Sequence, residues 1–453
     1  MAGGIWTTQN KVRPGAYINT VGAPQAKADT TSGRVLLVNG SQLDWGPQGI
    51  VELNSGSDFQ SILGAPLSDS KLATIREALK GAVTVLYLNL NGGTAATISD
   101  EALPWSFTAN YAGTKGNDLT VSVTKDPTDE TRLTVQFLYG TTVVDEQVIH
   151  TTTAAGLKSN DFVTVKLADE TGAQTKLETL AGKTTYKLAG GVTTPVDVTD
   201  VLSDTLATKT FNVATTAGYP VESNVHALLA QLIEDLRDNE GYKVTAVVPG
   251  VEGLDYDHEA ITAVINGVEL TDGEMLDATT AAAYVAGVAS AAGATGSLTY
   301  VAYPDAVDAN PRLTNEATIR NLANGYIVFT ARRDGTVVVE QDINTLTTYS
   351  EAKPKDFHKN RTIRTLDAIA NDTQDVFEGQ FIGKVNNDST GRDLFKANRV
   401  AYLRTLETAG AIGSFDPTDL SVETGDDKDS ILVTLGITPV DAMEKLYMTI
   451  TVY

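Results

Sequence analysis

The sequence predicts a multidomain protein of mixed α/β, overall α+β, class: an α/β core, an all-β domain inserted into it, and a C-terminal α+β domain. Three observations predict this. Strand-like and helix-like patterns alternate on both sides of a middle region; residues 101–192 carry short alternating runs without a strong helix; and beyond residue 345 two long helical patterns precede two strands. With 453 residues, 42% of them hydrophobic and 20% charged, the chain has apolar material for several packed cores.

The first element is short. "GAYINTV" (15–21), between Pro14 and Pro24, has a strand's composition, and with "APQAKADTTSG" behind it residues 1–30 form an arm. "RVLLVNG", a helix around "DSKLATIREALKGA" and then "VTVLYLNLNGG" set a strand–helix–strand rhythm over 31–100. Next, "WSFTANY", "DLTVSVTK", "RLTVQFLYG", "VVDEQVIH", "FVTVKLAD" and "TYKLAGG" alternate apolar and polar residues. Turns at Gly113, Gly116-Asn117, Asp126-Pro127 and Gly172 separate these runs, which make the inserted all-β domain of 101–192.

The α/β rhythm resumes over 193–345. Ser223 caps a helix whose apolar stripe is Val225, Leu228, Leu229, Leu232, Ile233 and Leu236, and "YKVTAVVP" is a buried strand. Helices near Glu259–Val268 and Thr280–Ala292, a strand "LTYVAYP", a helix capped by Thr314 and a hairpin turning at Asp334-Gly335 follow. Residues 346–445 hold helices near Asn360–Asp375 and Gly391–Ala409 and a strand in "SILVTLGITPV". Finally, "MEKLYMTITVY" puts Leu446, Met448, Ile450 and Val452 on one face and Tyr447, Thr449, Thr451 and Tyr453 on the other. This strand, 446–453, needs an edge to pair with.

The formal net charge of -23 disfavours nucleic acid and anionic membranes as partners, and with no cysteine there is no disulfide, thiolate ligand or thiol nucleophile. "AAAYVAGVASAAGA" (281–294) is too short and too rich in Ala and Gly to cross a bilayer, so it predicts a packed helix. The first residues lack the apolar core of a signal peptide, which predicts no general secretory export. None of the four histidines, His150, His226, His258 and His358, has a metal-ligating neighbour at i+3 or i+4. "DYDHE" (Asp255, Asp257, His258, Glu259) suits either a hard cation or an acidic helix start capped by Asp257, and the helix start is the commoner use. "GTKGND" and "GATGS" match no phosphate loop, there is no G-x-S-x-G elbow, and "ETGDDKDS" lacks the ligand spacing of a calcium loop. The sequence therefore predicts no catalytic residue, no metal and no cofactor.

One charge feature remains. From Lys353 to Arg404 ten Lys and Arg face seven acids, a local +3 in a strongly acidic protein. Such a segment is either a solvated mixed-charge helix pair or a mate for an acidic partner surface.

Three stretches, "TTQNKVRPGAYIN", "DINTLTTYSEAKPKDFHKNRTIRTLDAIANDT" and "FIGKVNNDSTGRDLFKANRVAYLRTLETAGAIGSFDP" leading to "DSILVTLGITPVDAMEKLYMTITVY", together resemble the tail sheath protein of contractile-tailed bacteriophages and phage-like elements of Gram-positive bacteria. The resemblance implies a sheath core and a homo-oligomeric helical sleeve around a tail tube protein. This sleeve is bounded by baseplate and tail terminator proteins, lies in the virion tail or a tail-like particle, and is assembled in the host cytoplasm. It also implies arms that join neighbours' sheets, here Val12, Tyr17 and Ile18 at one end and Leu446, Met448, Ile450, Val452 and Tyr453 at the other. The family's C-terminal domain lies innermost, which makes Lys384, Arg392, Lys396, Arg399 and Arg404 candidate tube-facing groups. No direct nucleic-acid contact or membrane anchoring is implied. The competing readings are another structural or adhesive tail or surface protein, and a hydrolase or polysaccharide-binding enzyme built on the α/β portion.

Overall fold

The computed structural model describes residues 3–4, 16–17 and 33–453, apart from 102, 130, 169–171, 181, 182, 252 and 255. At its centre is a seven-stranded sheet in the order Tyr326–Ile327, Ile261–Val264, Thr245–Pro249, Val213–Thr215, Arg34–Val38, Thr84–Asn89, Gly49–Leu53. All neighbours are parallel except the last pair. Strands covered on both faces read as continuous apolar runs, and "VLLV" and "VLYL" are of that kind. Val35, Leu37, Val85 and Tyr87 face one core with the helices Ala73–Leu79 and Ala278–Ala291. Leu36, Val38, Leu86 and Leu88 face the other with Val198–Thr208 and Asn224–Asp238.

Small residues let the first helix pair approach closely. A Cβ on Gly287 would lie 2.2 Å from the Ala78 carbonyl oxygen, and one on Gly81 would lie 2.4 Å from the Val288 nitrogen. The Ala/Gly-rich run is thus a packed helix because two backbones touch there.

Residues 91–195 form a β-sandwich of two antiparallel four-stranded sheets. One runs Thr142–His150, Arg132–Tyr139, Leu119–Lys125, Lys183–Lys187; the other runs Val163–Leu167, Trp105–Ala112, Asn91–Ile98, Val192–Pro195. Trp105, Phe107, Val121, Val135 and Phe137 fill the space between them. A seven-residue helix, Ala173–Thr179, interrupts the β region, where the sequence predicts strands alone. The C-terminal region pairs a helix Asn360–Val376 with a helix Ser389–Thr408 and ends in an antiparallel hairpin, Leu420–Thr424 with Ile431–Leu435.

Two other elements differ from expectation, and a third lies largely outside the described residues. Glu259–Val268 is not helical: Ile261–Val264 and Gly267–Leu270 are strands, because four consecutive buried residues, Ile261–Val264, with three β-branched among them fit a two-sided sheet interior. With the helix goes its cap. Asp257, at φ +43°, instead accepts from the backbone N–H groups of Thr347 (2.7 Å) and Thr348 (2.8 Å). "LTYVAYP" turns instead of extending, with Tyr300 at φ +63° and a single bridge from Ala302 to Val338, and the strand falls at Ala306–Asn310. Of "GAYINTV" only Ala16–Tyr17 is described, paired in parallel with Gly3–Gly4; Val12 and Ile18 lie outside the described residues.

Candidate assembly surfaces

In an open parallel sheet the carboxyl ends of the strands make the usual ligand crevice. Here polar side chains use those ends to fasten the sandwich. Asn89 donates to the Trp45 carbonyl at 3.1 Å, and Asn91 donates to the carbonyls of Gly46 (3.1 Å) and Ala112 (2.8 Å). Trp45, fully buried, belongs by sequence to the core but packs among Tyr111, Tyr139 and Phe162 of the sandwich, with centroids 5.3–6.5 Å away. Its indole N–H returns to the Ser61 carbonyl at 2.9 Å. Lys115 and Tyr139 both donate to the Gly64 carbonyl, at 2.8 and 3.2 Å. The insert is joined to the core by packing as well as by its two chain crossings.

A second join holds the C-terminal helices. Arg237 makes a two-pronged pair with Asp367, both contacts 2.8 Å, and Asn371 exchanges hydrogen bonds with the Lys243 backbone at 2.8 and 3.1 Å. Asn360 donates to Asp342 (3.1 Å) and to the Ile343 carbonyl (2.9 Å), while Arg364 pairs with Asp342. Beside this join, Lys353 and Glu259 pair at 2.8 Å, and His258 Nε2 lies 3.6 Å from the same carboxylate. Ala260 N–H donates to His258 Nδ1, so the ring proton sits on Nε2.

Two open surfaces lie toward the chain's C-terminal end. The hairpin Leu420–Thr424/Ile431–Leu435 packs one side on its domain, with Leu420 buried and Val422 and Leu435 against Leu403, Leu406 and Phe415. Leu432 and Val433 are exposed, and among the described residues the sheet has no third strand. Beyond it the chain is strapped down: Gly413 N–H donates to Thr438 O (2.8 Å) and Val440 N–H to Ala411 O (3.0 Å). Glu444 then accepts from Thr299 Oγ1 (2.9 Å), Gln341 Nε2 (2.7 Å) and Lys359 Nζ. Burial alone would raise this carboxyl, but the bonds from Lys359, Gln341 and Thr299 outweigh it and hold the group below its ordinary value.

After Glu444 no hydrogen bond or ion pair joins the segment to the other described residues. Among the described residues the predicted strand has no partner: Leu446, Met448, Ile450 and Val452 are 83%, 70%, 75% and 89% exposed, and Tyr447 and Tyr453 are exposed as well. The backbone of 441–453 forms no ladder with the other described residues.

The basic candidates divide. Lys384 and Arg404 are exposed, and Arg392 and Lys396 are half-buried. Arg404 pairs with Glu407 at 2.7 Å, Arg392 bonds Asn387 Oδ1 at 3.1 Å, and Lys384 bonds the Gly379 carbonyl. Arg399 differs. It is buried, bonds Asp372 (2.6 Å) and Thr373 (3.1 Å), and lies 5.3 Å over the Tyr402 ring, so its guanidinium ties the two helices together instead of facing outward. Sequence reasoning missed Trp45 and the Glu444 cluster. The partners of Glu444 are 85–145 residues away in sequence, and no local pattern signals them.

Among the described residues no group of His, Cys, Asp and Glu is placed to hold a metal ion, and no helix is long and apolar enough to cross a membrane. What the described residues offer is main-chain edges and an exposed segment of alternating pattern at Leu446–Tyr453.

Three family models match in succession: the phage tail sheath protein beta-sandwich domain over residues 91–193, the central domain over 191–345 and the C-terminal domain over 352–453. The chain is 34% identical to the phage-like element PBSX protein XkdK of Bacillus subtilis (strain 168) over 477 aligned positions that span all of both proteins. The crystal structure of the sheath tail protein from Desulfitobacterium hafniense matches with a TM-score of 0.79 at 34% identity, covering 96% of this chain and 99% of that one. The helical sheath of the anti-feeding prophage in its contracted state shares the fold at 13% identity, with a TM-score of 0.57 over 97% of this chain and 98% of that one. The chain belongs to the phage tail sheath protein family, a family of structural tail components.

Proposed function

We propose that this protein polymerises helically around a tail tube and that the resulting sheath shortens to drive the tube through the host envelope. One observation carries the reading: an exposed segment of alternating pattern, Leu446–Tyr453, that pairs with nothing among the described residues, in a chain that also carries a two-stranded sheet with no third strand among them. Two strands alone are marginal in water, and adding a neighbour's strand satisfies both partners' backbone groups. Backbone ladders depend little on side-chain identity, so copies can stay linked while their bodies turn. Val12, Tyr17 and Ile18 of the arm at 1–30 supply the matching strand at the other end. In this reading the functional units are the arm, the core of 31–100 and 193–345, the insert of 101–192, an inner domain of 346–445 and the strand of 446–453.

Lys384, Arg392, Lys396 and Arg404 are the groups proposed to meet the tube protein, with baseplate and terminator proteins at the two ends of a sleeve built in the host cytoplasm. Contraction draws on energy stored in the extended lattice, as expected of a bistable interface, and uses no nucleotide. The shared fold with a contracted helical sheath supports the reading. Electron microscopy of the purified protein tests it. Hollow helical tubes are expected, whereas a protein that remains monomeric at every concentration and in the presence of tubes would contradict it.

A further inference from the structure

Glu444 marks a boundary within the C-terminal segment. Upstream, the chain is tied at Thr438 and Val440, and Glu444 itself is held by Thr299, Gln341 and Lys359. Downstream, no hydrogen bond ties residues 445–453 to the rest of the described chain. Thr299 and Gln341 belong to the central region, whereas Lys359 adjoins the first C-terminal helix, so one carboxylate fastens the segment across both bodies.

We infer that Glu444 is a latch that sets the working length of the exchanged strand's tether. The inference rests on the strand exchange proposed above and adds a length to it. With the latch closed, the free segment is Lys445–Tyr453, nine residues, with a reach of roughly 30 Å at about 3.3 Å per residue. With the latch open, the next ties are Asp441, 3.9 Å from the same Lys359, and Val440 N–H to Ala411 O, which frees 442–453 and extends the reach to roughly 40 Å. The strand can then stay paired with its neighbour at two subunit separations, as a lattice that changes length requires. The latch gives way first under load. It consists of a few side-chain bonds at a site that water touches, Glu444 and Lys359 being 12% and 18% exposed, whereas the ladder of a paired strand is longer and shielded.

The test uses full-length protein and two readouts. In unassembled Glu444→Ala, backbone amides of Ala442–Lys445 should exchange about ten-fold faster than in the parent, with the Asn360–Val376 helix unchanged. Assembled Glu444→Ala should form tubes with a longer or less uniform axial rise. A Thr299→Ala/Gln341→Ala variant should do the same from the other side of the contact, and Glu444→Gln, which keeps an acceptor oxygen, should restore the parent rise. Unchanged exchange at 442–445, or tubes of parent rise from both disrupted variants, would overturn the latch. Tubes formed by a chain lacking 446–453 would instead overturn the strand exchange itself, so the two failures are separable.

Discussion

Single side chains carry the joins. Trp45 is fully buried with its ring in one domain and its backbone in another, so Trp45→Ala should lower unfolding stability by about 3–5 kcal/mol. It should also expose the insert to proteolysis ahead of the core, and a chemical denaturation series with limited digestion checks both. His226, His258 and His358 are all held below the ordinary histidine value, chiefly by burial. His226 donates from Nε2 to the Pro220 carbonyl and accepts at Nδ1 from Thr216, an arrangement made for the neutral ring. Because the unfolded chain takes up these protons more readily, their contribution is complete above the ordinary value of about 6.5 and is lost as pH falls below it. Denaturation midpoints should therefore drop between about pH 7.5 and about pH 5.5, and a flat profile would contradict this.

At the scale of elements, what was legible is what a local pattern determines. Ser223 and Thr314 cap their helices as expected, the stripe containing Leu229, Ile233 and Leu236 is buried, and the hairpin turns at Gly335 with φ +84°. The misreadings share a cause. "EAITAVINGV" has no clear period, and its state is decided by a parallel neighbour on each side, Thr245–Pro249 and Tyr326–Ile327, which lie far off in sequence. "LTYVAYP" alternates like a strand, but Tyr300 is forced into a left-handed conformation where its N–H reaches the Val339 carbonyl. Of the candidate site, the exposure of Leu446, Met448, Ile450 and Val452 accords with an alternating pattern that packs on nothing among the described residues, whereas the burial of Arg399 was not legible, since charge alone cannot tell a surface cation from a buried tie. The join of core to C-terminal helices depends on another such tie. Asp367→Ala leaves Arg237, 5% exposed, without its partner, and should cost about 3–5 kcal/mol in an unfolding titration.

At the scale of the whole molecule, residues whose removal exposes nothing should matter only in the assembly. Reversing charge together at Lys384, Arg392, Lys396 and Arg404 should leave the monomer's melting transition in place and weaken tube-templated assembly, read by sedimentation of sheath with tube. Assembly unaffected by the reversal would remove these groups from the tube-facing surface. The shared strand itself is most directly seen by backbone amide exchange at Leu446–Tyr453, measured before and after polymerisation. In the free chain these amides should exchange at rates close to those of an unstructured peptide, and in the polymer at least the alternate amides that face the neighbouring strand should slow by about a hundred-fold or more. Amides that stay fast throughout the segment in fully formed tubes would mean that main-chain pairing by this strand does not hold the copies together.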